Sequence, residues 1–151
     1  FFMAPINTKN IHRSNKLQNH IYGEDFIYNE MWIMGPGDEG KKAAEMVVGA
    51  NPIGGENAPK PGEGPSREKR ENGNYDILFY AEVDGDVFKA SVSGDMDPGY
   101  GSTSKMITES AICLIKESSD LRGGIYTPAS ALGKKLIKRL EDNAGLTFSV
   151  E

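Results

Sequence analysis

The side chains that best combine reactive chemistry with close spacing lie between residues 94 and 106, where a predicted strand is followed by a predicted helix. Tyr100, Ser102 and Thr103 supply hydroxyl groups there, and Lys105 supplies an amine. The first N–H groups of a helix have no partner within the helix, so they favour a nearby anion or carbonyl oxygen. This segment is therefore a predicted site for an anionic or carbonyl-bearing group. Simple capping of the helix is the alternative interpretation.

The remaining reactive side chains give no pattern of comparable strength. Cys113 is the single cysteine and lies in an apolar helical stretch without a neighbouring His or Arg, so we predict a buried structural thiol. An internal disulfide needs two cysteines, so nothing indicates secretion, and we expect a cytoplasmic protein. His12 and His20 are eight residues apart and share no cluster of Cys, Asp or Glu at ligand spacing. We therefore expect no metal site.

A second stretch, Gly35–Gly40, matches the G-x-G-x-x-G pattern of dinucleotide-binding turns and lies between a predicted strand and a predicted helix. Asp38 and Glu39 would place negative charge at the helix N-terminus, where the pyrophosphate of a dinucleotide sits. The preceding segment contains Asn29 and Glu30, whereas the first strand of a dinucleotide-binding fold is buried on both faces. We interpret the stretch as a turn that needs glycines, and we expect no cofactor-binding residue in this chain.

Composition and charge narrow the class of protein. The 151 residues fit one domain of ordinary size, and 38% hydrophobic residues are enough for one core. The formal net charge of -5 argues against sequence-independent nucleic-acid binding, which depends on Lys and Arg contacts to phosphate. One local basic cluster is predicted to be the solvated face of an amphipathic helix, namely Lys134, Lys135, Lys138 and Arg139.

The first half of the chain is predicted to alternate between helix and strand before a long loop. A helix is predicted over residues 8–21 with Asn7 as its N-cap, and a strand rich in aromatic residues over 25–34. A second helix is predicted from Asp38 to Gly49. Residues 51–74 hold most of the prolines and glycines and form a predicted loop, with one short helical turn that begins at Ser66.

The second half gives stronger local signals. Residues 75–94 alternate in polarity around Asp84-Gly85, which predicts a β-hairpin with one largely buried face. A helix is predicted over 102–116, then a helix capped by Thr127, then a closing strand over 146–150. This order predicts one α+β domain, residues 1–151, with a mostly antiparallel or mixed sheet covered by helices on one face. The predicted inner side of the first of these helices is Met106, Ile107, Ala111, Leu114 and Ile115.

Several segments together carry a resemblance to a known family. They are Met3–Thr8, Pro61–Ser66, Asp97–Tyr100, Thr103–Met106 and Gly123–Ala129. In this order they resemble the C-terminal part of the saccharopine dehydrogenase-like oxidoreductases, a group that includes the bacterial trans-acting enoyl reductases.

The resemblance implies a function for a longer protein. It implies an NAD- or NADP-dependent oxidoreductase whose nucleotide-binding Rossmann domain lies N-terminal to this chain. This chain would be the substrate-side domain, which is inactive on its own, completes the pocket for a small-molecule substrate and supports a homodimer. The alternative is a noncatalytic oligomerisation or interaction module, with the hairpin and the strand around Trp32 as its interface. The residues expected to contact substrate are Tyr100, Ser102, Thr103 and Lys105, with Arg13 and Asn7 as further candidates.

Overall fold

The computed structural model describes residues 1–49 and 62–151. The chain divides into two compact units, Phe1–Glu63 and Gly64–Glu151. Residues 51–61 of the predicted loop over 51–74, including Pro61 of the family-like segment, lie outside the described residues. That the whole chain forms one domain stays a prediction. In the part of the chain that is described, no helix is long and apolar enough to cross a membrane.

The described residues of the first unit form two helices, α1 (Ala4–Leu17) and α2 (Gly37–Gly49). The predicted start of α1 was wrong, because the helix begins four residues before position 8. Pro5 lies in its first turn, where the missing N–H of proline costs nothing. Asn7 is consequently inside the helix and is not its N-cap.

The strand predicted over residues 25–34 is also wrong, because the structure has no strand there. The aromatic side chains instead pack against other aromatic rings of the same unit. The Phe26 ring centroid lies 5.4 Å from that of Tyr22 and 5.7 Å from that of His12, and the Trp32 centroid lies 5.3 Å from that of Phe1. The aromatic preference for strands reflects side-chain packing on a sheet, and no described residue of this unit offers a strand to pair with.

The glycine-rich turn before α2 has the predicted character. Gly35 and Gly37 have φ values of 90° and 66°, a region that side chains rarely adopt. A Cβ atom on Gly40 would collide with the carbonyl oxygen of Gly35. The glycines are therefore required by the backbone itself, and the first turn of α2 carries the acidic Asp38 and Glu39.

The second unit has the predicted α+β class. It begins with the short helix α3 (Arg67–Glu71), for which the Ser66 hydroxyl accepts a hydrogen bond from the Lys69 N–H, as predicted. The sheet is fully antiparallel with strand order β1-β2-β3. The remaining elements are β1 (Tyr75–Val83), β2 (Asp86–Gly94), α4 (Gly101–Glu117), α5 (Pro128–Asn143) and β3 (Leu146–Val150).

The core of this unit lies under one end of the sheet. Leu140 of α5 and Ala144, the C-cap residue of that helix, pack against Leu146 of β3, and Val92 lies opposite Phe148 in the β2–β3 register. Met106 of α4 and Leu136 of α5 complete the cluster. The two long helices therefore cover one face of the sheet, but only where β3 is present.

The far half of the hairpin departs from prediction. The turn at Asp84-Gly85 forms as expected, with positive φ at both residues. The predicted buried face is nevertheless exposed, since Phe79 is 45% and Phe88 55% accessible to solvent. No helix of the described second unit covers this half of the sheet. Its apolar side chains therefore share one face, as their alternation predicts, but they are not buried.

Of the predicted inner side of α4, Met106 packs against the core as expected, but the rest of the helix turns a different side inward. Ile107, Leu114 and Ile115 are exposed, whereas Cys113 is fully buried, as predicted for a structural thiol. Burial, followed by the charge of Glu117, raises the pKa of the Cys113 thiol.

An ion-pair cluster explains this rotation of α4. Arg139 of α5 binds Glu109 at 2.6 Å and Glu117 at 2.7 Å, and both carboxylates lie on the same side of α4 as Cys113. The prediction that Arg139 is solvated was therefore wrong, while Lys134, Lys135 and Lys138 are exposed. Periodicity alone did not reveal that two carboxylates on α4 would draw this guanidinium between the helices.

Candidate functional site

The loop between β2 and α4 is organised by one carboxylate. Asp97 accepts hydrogen bonds from the backbone N–H groups of Gly99 at 3.0 Å, Tyr100 at 3.0 Å and Gly101 at 2.6 Å. These bonds, the one from Gly101 above all, lower the pKa of the Asp97 carboxyl. The first two N–H groups of α4, those of Gly101 and Ser102, therefore already donate to Asp97, as the capping interpretation expects.

Two of the predicted hydroxyls also serve the protein itself. The Ser102 hydroxyl is fully buried and lies 2.8 Å from the Tyr75 hydroxyl. The Thr103 hydroxyl donates to the Pro98 carbonyl oxygen at 2.6 Å. Neither side chain lines the cleft described next. Both hold the start of α4 in place, and substrate contact by either one stays a prediction.

A cleft of about 550 Å³ opens between α3 and the start of α4, and we call it the α3–α4 cleft. The predicted residues Tyr100 and Lys105 both line it. Tyr100 is 58% exposed, and its hydroxyl makes no hydrogen bond within the described residues. The lining also includes Arg67, Arg70 and Glu71 of α3, with Met96 and Ser104 on the other wall.

Two of the three cationic side chains that line the α3–α4 cleft form ion pairs within the described residues, and the third does not. Arg67 pairs with Glu71 at 2.7 Å, one turn along α3, and Lys105 lies 3.7 Å from Asp95. The Arg70 guanidinium has no ion pair or hydrogen bond with any residue that the structure describes. Its positive charge contributes to the lowered pKa of Asp97.

Backbone contacts fix the position of Arg70. Its carbonyl oxygen accepts a hydrogen bond from the Asp97 N–H at 3.0 Å, which ties α3 to the loop that starts α4. The Arg70 side chain is not used in that bond. The two walls of the cleft are therefore held by main-chain atoms, and the guanidinium is left for other interactions.

Asn7 and Arg13 belong to the other unit, which does not contain this cleft. The Asn7 amide donates to a Glu30 carboxylate oxygen at 3.0 Å, and the Tyr28 hydroxyl donates to the second oxygen at 2.7 Å. Burial, together with the Glu30 carboxylate, raises the pKa of Tyr28 to about 12. Asn7 therefore has a structural partner, and a substrate contact for Asn7 or Arg13 stays a prediction.

Sequence reasoning missed Arg67, Arg70 and Ser104. A usable signal was present for the two arginines. The cap at Ser66 sets the phase of α3, and residues three apart in a helix lie on neighbouring positions of one face. Arg67 and Arg70 have this spacing, so a basic face on α3 was predictable once the cap was accepted.

Comparison with known proteins finds relatives for almost the whole chain. It is 34% identical over 93% of its length to the trans-acting enoyl reductases of Mycobacterium ulcerans, Mycobacterium bovis and Mycobacterium tuberculosis. The chain spans only 38% of the length of these relatives. No family model matches the chain. No solved structure matches it either. The similarity to these relatives supports an enoyl reductase-like family for this chain.

Proposed function

We propose that this chain is the C-terminal, substrate-side part of an NAD- or NADP-dependent oxidoreductase of the saccharopine dehydrogenase-like family, acting on an enoyl group. The observation that carries the proposal is the α3–α4 cleft. One of its walls includes Tyr100, Ser104 and Lys105, which lie in segments that resemble this family, Asp97–Tyr100 and Thr103–Met106. The similarity to enoyl reductases over 93% of the chain supports the same reaction class.

The role proposed for the chain is orientation and electrostatics. The nicotinamide, when bound by the rest of a longer protein, supplies the hydride. The Tyr100 side chain lines the cleft, and its hydroxyl has no partner among the described residues, so it is suited to hold the carbonyl oxygen conjugated to the reacting double bond. The Lys105 amine, 3.7 Å from Asp95, adds positive charge to the same wall. Donors fixed toward a developing negative charge stabilise the transition state of such a reduction.

Replacing Tyr100 tests this role in the full-length protein. Tyr100→Phe removes only the hydroxyl, so we expect the turnover number to fall by about tenfold or more, as for loss of one catalytic hydrogen-bond donor. The thermal unfolding midpoint should stay near that of the wild type. Tyr126→Phe is the matched control, because this tyrosine lies outside the cleft. An unchanged turnover number for Tyr100→Phe would remove Tyr100 from the site.

Cofactor binding gives a separate test. We expect the 151-residue chain alone to bind NADH or NADPH weakly or not at all, because the proposed nucleotide site belongs to the rest of the longer protein. Isothermal titration calorimetry with each dinucleotide measures this. Saturable binding in the micromolar range would contradict the proposal that the nucleotide site lies in the rest of the longer protein.

The bare half of the hairpin favours a second candidate, an oligomerisation module that pairs with a second copy of this chain. Cross-strand register places Ile77, Phe79, Phe88 and Val150 on one face. The only charged residue of β1 or β2 on that face is Asp86, beside the turn. Exposed apolar patches of this kind mark interaction surfaces.

Charge distinguishes face-to-face packing from edge-to-edge pairing. If two β1 strands paired antiparallel about Phe79, Asp76 of one copy would face Glu82 of the other. Like charges in opposed positions destabilise a strand pair. The apolar face, not the β1 edge, is therefore the proposed contact between copies.

Light scattering after size exclusion tests this second candidate. The wild-type chain is expected to dimerise, and Phe79→Glu is expected to be monomeric because it places a charge in the contact. Tyr80→Glu is the matched control, since Tyr80 is its exposed neighbour on the opposite face. A monomeric wild type, or loss of the dimer in both variants, would reject the proposed face.

A further inference from the structure

We propose that the α3–α4 cleft binds an oxyanion, a carboxylate or a phosphate, and that Arg70 is its principal contact. This deepens the proposed function, because it assigns an anionic group to the substrate of the same site. The binding itself is a property of this chain and is measurable without any reductase activity.

The first argument is the local charge. The whole chain has a formal net charge of -5, yet the cleft is lined by three cationic side chains and one carboxylate. The cations are Arg67, Arg70 and Lys105, and the carboxylate is Glu71. Glu71 and Asp95 form ion pairs with Arg67 and Lys105, whereas no described carboxylate forms an ion pair with Arg70, and an unpaired cation in a concave surface attracts an anion.

The second argument is the state of the Arg70 side chain. Its guanidinium has no bonded partner within the described residues, although its backbone is fixed by the bond from Asp97. A guanidinium presents two parallel N–H groups that match the two oxygens of a carboxylate or phosphate. Arg70 thus combines a fixed main chain with an unused, geometrically selective donor group.

The neighbouring carboxylates do not saturate this group. Asp97 forms its hydrogen bonds with backbone N–H groups and acts on the Arg70 side chain through charge, without a hydrogen bond between the two side chains. The Arg67–Glu71 and Lys105–Asp95 pairs are exposed to solvent, and such pairs contribute little and are readily exchanged for a better-shaped ligand. The proposed binding groups are therefore the side chains and not the helix N-terminus, where Asp97 accepts bonds from the Gly101 and Ser102 N–H groups.

The cleft also has room for the remainder of a substrate. Tyr100 and Met96 line it beside Arg70 and offer aromatic and aliphatic surface. An enoyl substrate with an anionic handle would place that handle on Arg70 and its carbonyl group near Tyr100. A substrate without a negative charge would lack the charge-assisted, bidentate bond that Arg70 offers.

Nuclear magnetic resonance titration of the 151-residue chain tests the inference. Sodium phosphate and sodium acetate are added in separate arms at constant ionic strength, with sodium chloride as the reference. We expect saturable shifts of the Gly101, Ser104 and Lys105 amides. Shifts with phosphate alone indicate a phosphate ester, and shifts with acetate indicate a carboxylate. No saturable shift in either arm would overturn the proposal.

Variants assign the binding to Arg70. Arg70→Gln is expected to weaken binding by about tenfold or more, because the charged bidentate donor is lost. Arg70→Lys keeps the charge but not the fork, and an intermediate affinity is expected. Arg122→Gln is the matched control, an exposed arginine outside the cleft. Equal affinity of the wild type and Arg70→Gln would overturn the assignment.

Activity of the full-length protein separates the two proposals. Arg70→Gln should raise KM for an anionic enoyl substrate and leave kcat near the wild-type value. A full-length protein without reductase activity, combined with oxyanion binding here, would reject the proposed function alone. An active reductase whose chain binds no oxyanion would reject only this inference.

Discussion

Polar and apolar residues alternate at both ends of the sheet in the second unit. The apolar face is covered at one end and exposed to solvent at the other. At the β3 end, Val92 lies opposite Phe148 and packs beneath α4 and α5. At the hairpin end, Phe79 and Phe88 lie on the same face and remain about half exposed. The comparison teaches that alternation determines which residues share a face, whereas burial depends on whether another element reaches that face.

The largest expected effect is at the covered end. Leu140 is only 8% exposed in the core cluster with Ala144 and Leu146, so Leu140→Ala leaves a cavity. We expect the free energy of unfolding to fall by about 3 kcal/mol. Ile137→Ala is the control on the same helix, where the side chain is 39% exposed, and a smaller loss is expected. Urea denaturation measures both, and equal losses would show that the covered end is not a packed core.

A second substitution at the covered end adds an atom to the packed region, whereas Leu140→Ala removes atoms from it. The Tyr75 ring lies across Gly94, and its hydroxyl meets the buried Ser102 hydroxyl at 2.8 Å. A Cβ in Gly94→Ala would collide with this ring, so we expect a loss of about 2 kcal/mol. Gly123→Ala, with open space around its position, should change stability little. Equal effects of the two substitutions in urea denaturation would contradict the packing of Tyr75 over Gly94.

A smaller effect is expected where the covered end meets the cleft, at Asp97. Hydrogen bonds from three N–H groups lower the pKa of its carboxyl, so its stabilising contribution is complete above the unfolded-state pKa of about 4. The contribution is lost as pH falls through the lower folded-state pKa. We expect Asp97→Asn to lower the free energy of unfolding by about 1 kcal/mol at pH 7. In acid, the free energies of unfolding of the variant and the wild type should become more similar.

The measurement is the free energy of unfolding of both proteins between pH 7 and pH 2. Other carboxylates titrate in the same range, but they are present in both proteins and cancel in the difference. If the difference in free energy of unfolding stays constant across this range, the negative charge of Asp97 does not stabilise the start of α4.

Local signals account for what could be predicted from the sequence. Positive φ at Asp84 and Gly85, the Thr127 cap of α5 and the Ser66 cap of α3 depend on neighbouring residues only, and each formed as expected. The predicted start of α4 was also correct to within one residue. These features need no information about distant parts of the chain.

The features that failed depend on tertiary partners. The segment 25–34 has strand-forming residues but no strand beside it, so ring packing around Phe26 prevailed. Arg139 has helical spacing typical of a solvated side chain, but Glu109 and Glu117 on another helix bind it. The cleft escaped prediction for the same reason, because α3 meets α4 through a hydrogen bond from Asp97 to the Arg70 carbonyl.

The smallest expected effect is at the uncovered end. Phe88 is 55% exposed, so Phe88→Ala removes little buried surface and should lower the free energy of unfolding by less than about 1 kcal/mol. The measurement must be made at low protein concentration, because any dimer through this face adds a concentration-dependent stabilisation. A loss at high concentration that vanishes on dilution would identify Phe88 as a contact between copies. A loss as large as that of Leu140→Ala at every concentration would instead mean that the hairpin end is packed within the monomer, and the contrast between the two ends would fail.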